Sequence, residues 1–205
     1  MQEIKTISVY KQGLKERILE VAMQAFVERG IRAVKMDDIA ARLSISKRTL
    51  YEIYDNKEDL LFEGAKAYHE RVTKHLQQIA SESADVMEVI LQVYRIKVDE
   101  FRQTSPTFYA DIVKYPRILN YLKEENKRLQ GSHREFLERG VKEGFFRRDV
   151  NYEMVGILFD ALGKYVMSNE LYRRYSIEEI FSNLVFVSLR GMCTEKGVKE
   201  LDKFI

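Results

Sequence analysis

Lys47, Arg48, Thr49 and Tyr51 follow Ser46 in one short run, and Glu52 comes directly after them. Side chains of these types bind without reacting. The planar fork of an arginine can donate to O6 and N7 of one guanine together, which makes Arg48 the strongest candidate for reading a base. Ammonium and phenol groups hold phosphates, fixing position and leaving sequence unread; Lys35, Tyr51 and Lys57 are candidates for that task. Lys47 and Thr49 would enter or flank the same groove.

Two short helices must present these groups. Ile39, Ala40 and Leu43 fall at i, i+1 and i+4, on one face of a first helix. Ser44, Ile45 and Ser46 interrupt it, with Ser46 placed to cap the second helix by accepting a backbone N–H. That second helix turns Leu50, Ile53 and Tyr54 inward and leaves Arg48, Thr49, Tyr51 and Glu52 outward. Two helices joined by a tight turn, the second with an outer face of long donors, form a helix-turn-helix. The periodicity alone fits equally well a helical hairpin whose outer face is merely solvated.

The order of residues goes further. Ile39-Ala40, the turn, Ser46 to Tyr51, then Tyr54, Lys57-Glu58 and Leu60-Leu61 resemble the DNA-binding domain of the TetR family. The resemblance extends back through Ile18, Leu19, Ala22, Phe26 and Gly30, and covers about the first third of the chain. Three departures stand out. Val34 and Lys35 occupy positions where the family usually has hydroxyls. Ser44 replaces the glycine of the turn, so a positive φ there would be strained. Glu52 and Ile53 replace a frequent aromatic or histidine pair.

Length and composition set the frame. The chain has 205 residues, 45% hydrophobic, with two prolines and ten glycines. Long stretches rich in Glu, Lys, Arg, Leu and Ala predict an all-α protein. Net charge argues little for a polyanionic partner: it is +2 overall, and residues 1–60 carry eleven Lys or Arg against ten Asp or Glu. Distribution matters more, and Lys11, Lys15, Lys35, Lys47, Arg48 and Lys57 are candidates for one common face. A single cysteine, Cys193, forbids an intrachain disulfide and fits a reducing compartment. The amino terminus lacks the apolar core of a signal peptide, and no apolar run approaches the ~20 residues of a membrane span. The expected location is the cytoplasm, with no membrane partner.

Nothing in the sequence asks for an enzyme. No catalytic residues are assigned, because no glycine-rich phosphate loop and no nucleophile elbow occurs. His69, His75 and His133 have neither an i,i+4 histidine partner nor a cysteine cluster, so no metal and no cofactor are expected.

Beyond the motif, Lys57 to about Ser83 reads as one uninterrupted helix, with a domain boundary inside it: residues 1–60 as the DNA-binding domain and 61–205 as a second helical domain. Helices follow at 86–101, at a short segment opened by Ser105-Pro106, at 116–143 with a local interruption at Gly131, and at 152–168 and 177–194. Tyr68, Tyr94, Phe101, Phe108, Tyr109 and Tyr121 are candidates to line a mostly apolar ligand cavity, although any one of them can equally fill a core. The last two helices are the most apolar. Ile157, Leu158, Ala161, Leu162, Tyr165, Phe181, Leu184 and Val185 are candidates for a homodimer interface, with Gly156 and Gly163 allowing close approach. The resemblance implies the same assembly, with double-stranded operator DNA as partner and a small apolar or aromatic molecule that releases a repressor from it. Two other functions stay open: a regulator of this type without a small-molecule inducer, and a helical small-molecule-binding protein or enzyme with a vestigial helix-turn-helix.

Overall fold

The computed structural model describes residues 2–203, with side chains from residue 11 onward. Among the described residues the chain is helical, and its one extended pairing is an isolated antiparallel bridge between Phe146 and Cys193. It forms two compact units that are not successive stretches of sequence: Met1–Val72 with Gln103–Leu122, and Thr73–Arg102 with Lys123–Ile205.

The first unit is built on α1 (Gln2–Arg29). Leu14, Ile18, Ala22, Ala25 and Phe26 lie along one stripe of it, and all are buried. They pack with Ile31, Val34, Ile39, Leu50, Tyr54, Leu60 and Leu61, contributed by the following turn, α2 (Met36–Arg42), α3 (Lys47–Tyr51) and the start of α4 (Lys57–Glu82). Burial of this many large side chains, each contributing on the order of 1.5–3 kcal/mol, is what holds such short helices in place. Ile118 of α7 (Pro116–Arg128) is fully buried in the same core, with Phe108 and Ile112 of α6 (Pro106–Ile112) packed on it. Ser105 caps α6, and Pro106 opens it, where its missing N–H costs nothing.

The second unit packs α5 (Val86–Gln103), α8 (Gln130–Lys142), α9 (Tyr152–Ser168) and a C-terminal run. Val86, Met87, Phe145, Phe146, Phe186, Leu189, Met192 and Leu201 form its core. A polar knot joins three helix ends. The Arg139 guanidinium donates to the carbonyls of Ala80 and Ser83 at 2.6 and 2.9 Å and to Glu143 at 2.6 Å. The second oxygen of Glu143 accepts the Val86 N–H at 2.9 Å. Orphan carbonyls at the end of α4 and an orphan N–H at the start of α5 are thereby satisfied.

Most expected elements form, with α7 and α8 meeting at Leu129, two residues before Gly131. The C-terminal segment differs most. In place of one helix, α10 (Ile177–Ile180) passes through a π-helical turn, Phe181–Val185, into α11 (Phe186–Met192). Cys193 is extended, and Thr194 caps a further helix, α12 (Glu195–Leu201).

Gly140 faces the Phe146 ring so closely that an added Cβ would lie 2.1 Å from it. Phe146 is fully buried and has nowhere to go. Gly140→Ala should therefore destabilise the protein by about 1–3 kcal/mol, read as a lower unfolding temperature. Burial also pushes the Cys193 thiol up to about 11. At pH 8 the folded protein should react with iodoacetamide far more slowly than the unfolded chain.

Candidate nucleic-acid interface

The motif is assembled by caps. Lys35, extended, precedes α2, and its N–H is taken by the Asp38 carboxylate at 3.0 Å. The carboxylate satisfies the N–H of Lys35 itself, while the first-turn N–H that a hydroxyl at position 35 would have capped gains no side-chain acceptor. The turn bends through Ser44, whose φ of 54° places a non-glycine residue in the left-handed region, as expected for this position. Ser46 then caps α3: its Oγ accepts the Thr49 N–H at 3.0 Å and shares a 2.8 Å hydroxyl contact with Thr49 Oγ1. Leu50 anchors α3 with no exposure. Asn56 caps α4 reciprocally with Asp59, at 2.9 and 2.7 Å.

This scaffold leaves one face bare. Lys35, Lys47, Arg48 and Tyr51 are exposed, and Thr49 is half-buried by its capping contact. Lys47 is paired with Asp37 of α2, and Arg48 with Glu52 one turn further along. Each carboxylate raises the pKa of its cation, by hydrogen bonding and then by charge. Both cations are fully charged at any physiological pH.

Lys57 is held differently from the other candidates. Its stem folds back so that the ammonium donates to the carbonyls of Ile31 and Val34 at 2.9 and 3.0 Å. Its role is to hold the turn between α1 and α2, and desolvation there lowers its pKa. The same turn is held from the other side by a residue that no sequence pattern marks. Asp111 of α6, nearly buried, accepts the Arg32 N–H at 2.9 Å, while Ser105 N–H donates to the Val27 carbonyl at 2.9 Å. Gly30, at φ 85°, lets α6 approach: a Cβ there would lie 2.6 Å from Thr107. The Tyr54 hydroxyl is buried without a hydrogen-bond partner, and burial pushes its pKa well above the ordinary range.

The family model for bacterial regulatory proteins of the tetR family matches residues 18–63, from within α1 to the first turns of α4. Over those residues the chain carries the DNA-binding domain that this family model describes. It is 28% identical over 150 residues to the HTH-type transcriptional repressor KstR2 of Rhodococcus jostii, covering 70% of this chain and 73% of that protein. It is 23% identical over 162 residues to the uncharacterised regulator YezE of Bacillus subtilis, covering 75% and 80%. In fold it resembles a putative transcriptional regulator from Saccharomonospora viridis in complex with choline (TM-score 0.68, 20% identity, 90% of this chain and 100% of that one). It also resembles the ketosteroid regulator KstR2 of Mycobacterium tuberculosis (TM-score 0.58, 22% identity, 88% and 95%). With that domain and these relatives, the chain is a DNA-binding transcriptional regulator. Among the described residues no cluster of metal-ligating side chains occurs, and no helix is long and apolar enough to cross a membrane.

The other candidates fall as follows. Tyr68, Phe108, Tyr109 and Tyr121 belong to the first unit, and Tyr94 and Phe101 to the second. The Tyr94 ring lies 5.1 Å from both Phe181 and Phe186, and Phe101 lies 6.3 Å from Tyr172. Phe181, expected at an interface, thus turns its ring toward Tyr94 on the inside of its own unit. Ile157, Leu158, Ala161 and Tyr165 are exposed along α9, while Leu162, Leu184 and Val185 are half-buried.

Two lysines separate the roles. Lys35→Ala should weaken binding to all duplexes alike and make its salt dependence shallower by about one charge. Lys57→Met should leave the salt dependence unchanged and lower stability by about 1 kcal/mol, a value discounted for its partial exposure. Salt-titrated anisotropy and thermal unfolding of both variants check this.

Proposed function

We propose that the chain acts in the cytoplasm as a homodimeric repressor, released from its operator by a small apolar or aromatic molecule bound in the second unit. One observation carries the dimeric part. Met154, Ile157, Leu158 and Tyr165 recur along a single face of α9, and all are exposed, with Ile157 at 63%. Gly156 and Gly163 have open space around them, so another backbone can approach. Val187 of α11, 61% exposed, extends the apolar surface available for pairing. A contiguous bare face of this kind marks a protein-protein contact, and a second copy of the chain supplies a matching one. Two copies would present two recognition helices to half-sites about 34–36 Å apart.

The repressor assignment is supported by relatives named as repressors. The small-molecule assignment is supported by the choline held by one structural neighbour and by the aromatic residues of the second unit, Tyr94 and Phe101 among them. α4 starts in the first unit, at the Lys57 clamp, and ends in the second, at the Arg139 knot. That shared helix is the proposed route between ligand and DNA. A regulator without an inducer is favoured to the extent that Tyr94, Phe181 and Phe186 already fill one another's contact surface.

Leu158→Glu should yield monomers in sedimentation velocity and abolish operator binding, because a charge would be buried in the pairing face. Wild-type protein that sediments as a monomer at micromolar concentration would exclude the dimer. Ligand and operator must also weaken each other by the same factor. Calorimetric titration of a candidate ligand with and without operator should show that factor, and equal affinities would exclude the candidate as inducer.

A further inference from the structure

The Arg48 guanidinium is not held like the Lys47 ammonium beside it. Its Nε donates to Glu52 at 2.9 Å across one helical turn. Glu52 is the C-cap of α3, fixed by its own N–H on the Arg48 carbonyl at 2.9 Å, so the carboxylate stands in register with the guanidinium it holds. Both side chains are exposed. An exposed i,i+4 pair adds little to folding stability, so its removal reads out on binding and not on the fold. Lys47, paired with Asp37, is a compact ammonium with no plane to orient.

With Nε occupied, Arg48 has its two terminal nitrogens left. Neither is needed for the contact with Glu52, and the two together have the spacing that matches O6 and N7 of guanine. The carboxylate has a second effect. Beside DNA it meets negative phosphates and partly negative base acceptors, and the Arg48 it holds offsets that repulsion best where the fork also finds a guanine. On any other sequence Glu52 brings a negative charge toward a polyanion with less in return. We propose that Glu52 is a specificity-determining residue of this regulator, holding the Arg48 fork end-on for guanine and disfavouring duplexes that lack that base. This rests on α3 being the base-reading helix.

The test uses the full chain and a duplex library with a randomised core about two to three helical turns long. Wild type, Arg48→Ala, Glu52→Ala and Glu52→Gln are each selected on it. Their affinities are then measured on the preferred wild-type duplex, on its single-base variants and on an unrelated duplex. Wild type should prefer guanine at one position of each half-site, and Arg48→Ala should lose that preference. Glu52→Ala should reduce the same preference about tenfold and tighten binding to the unrelated duplex. Glu52→Gln keeps an oxygen that can accept the Nε–H. It should retain the guanine preference while sharing the tighter binding to unrelated DNA, which separates geometry from charge. If Glu52→Ala keeps the full guanine preference that Arg48→Ala loses, the proposal fails and the reading of α3 stands. A lost cytosine preference in Glu52→Ala, with guanine intact, also overturns it, since Glu52 would then read a base directly. If Arg48→Ala alters no base position, the reading of α3 fails and takes the proposal with it.

Discussion

The turn from Gly30 to Lys35 is clamped between two opposite charges, and the DNA-facing surface depends on that clamp. Lys57 supplies donors to the carbonyls of Ile31 and Val34, and Asp111 supplies an acceptor to the N–H of Arg32. Each side-chain charge meets backbone dipoles that would otherwise be left without a partner near a packed core. The turn leads directly into α2, so its position sets where α2 and then α3 stand. A glycine without a side chain brings α6 near enough to take part. A few polar contacts therefore decide the placement of a surface whose own helices are seven and five residues long.

The motif itself was legible because its determinants are local. Ser46 caps three residues ahead, Leu50 follows from helical spacing, and the strain at Ser44 follows from the turn that must sit there. The backbone contacts of Lys57 were not legible, for the opposite reason. Its type and place beside the motif suit a phosphate, but its partners lie 23 and 26 residues earlier and are carbonyls that no residue pattern reveals. Asp111 was invisible on the same grounds, since its partner lies 79 residues away. Glu52 was legible as an outward residue and as a departure from the family pattern, and its i,i+4 spacing from Arg48 was available as well.

The C-terminal segment shows a different limit. Its apolar residues nearly encircle a helix, so periodicity could not say which face turns inward. The π-helical turn puts an extra residue into the circuit, and Phe181 ends against Tyr94 and Phe186. α12 is brief and was not anticipated. It is held by the Thr194 cap and by Gly197, which passes so close to the Phe145 carbonyl that a Cβ would sit 2.3 Å from it. On α9 the apolar spacing was legible, while its exposure needed the structure.

That bare α9 face makes the amount of protein in the cell an input of its own. For a chain that pairs through it, dilution competes with association, and at low abundance the pair is the minor species. Operator occupancy then follows the square of the free subunit concentration, so halving the supply of chain cuts occupancy roughly fourfold. A gene controlled this way responds sharply to changes in the synthesis or degradation of its regulator, before any small molecule is involved.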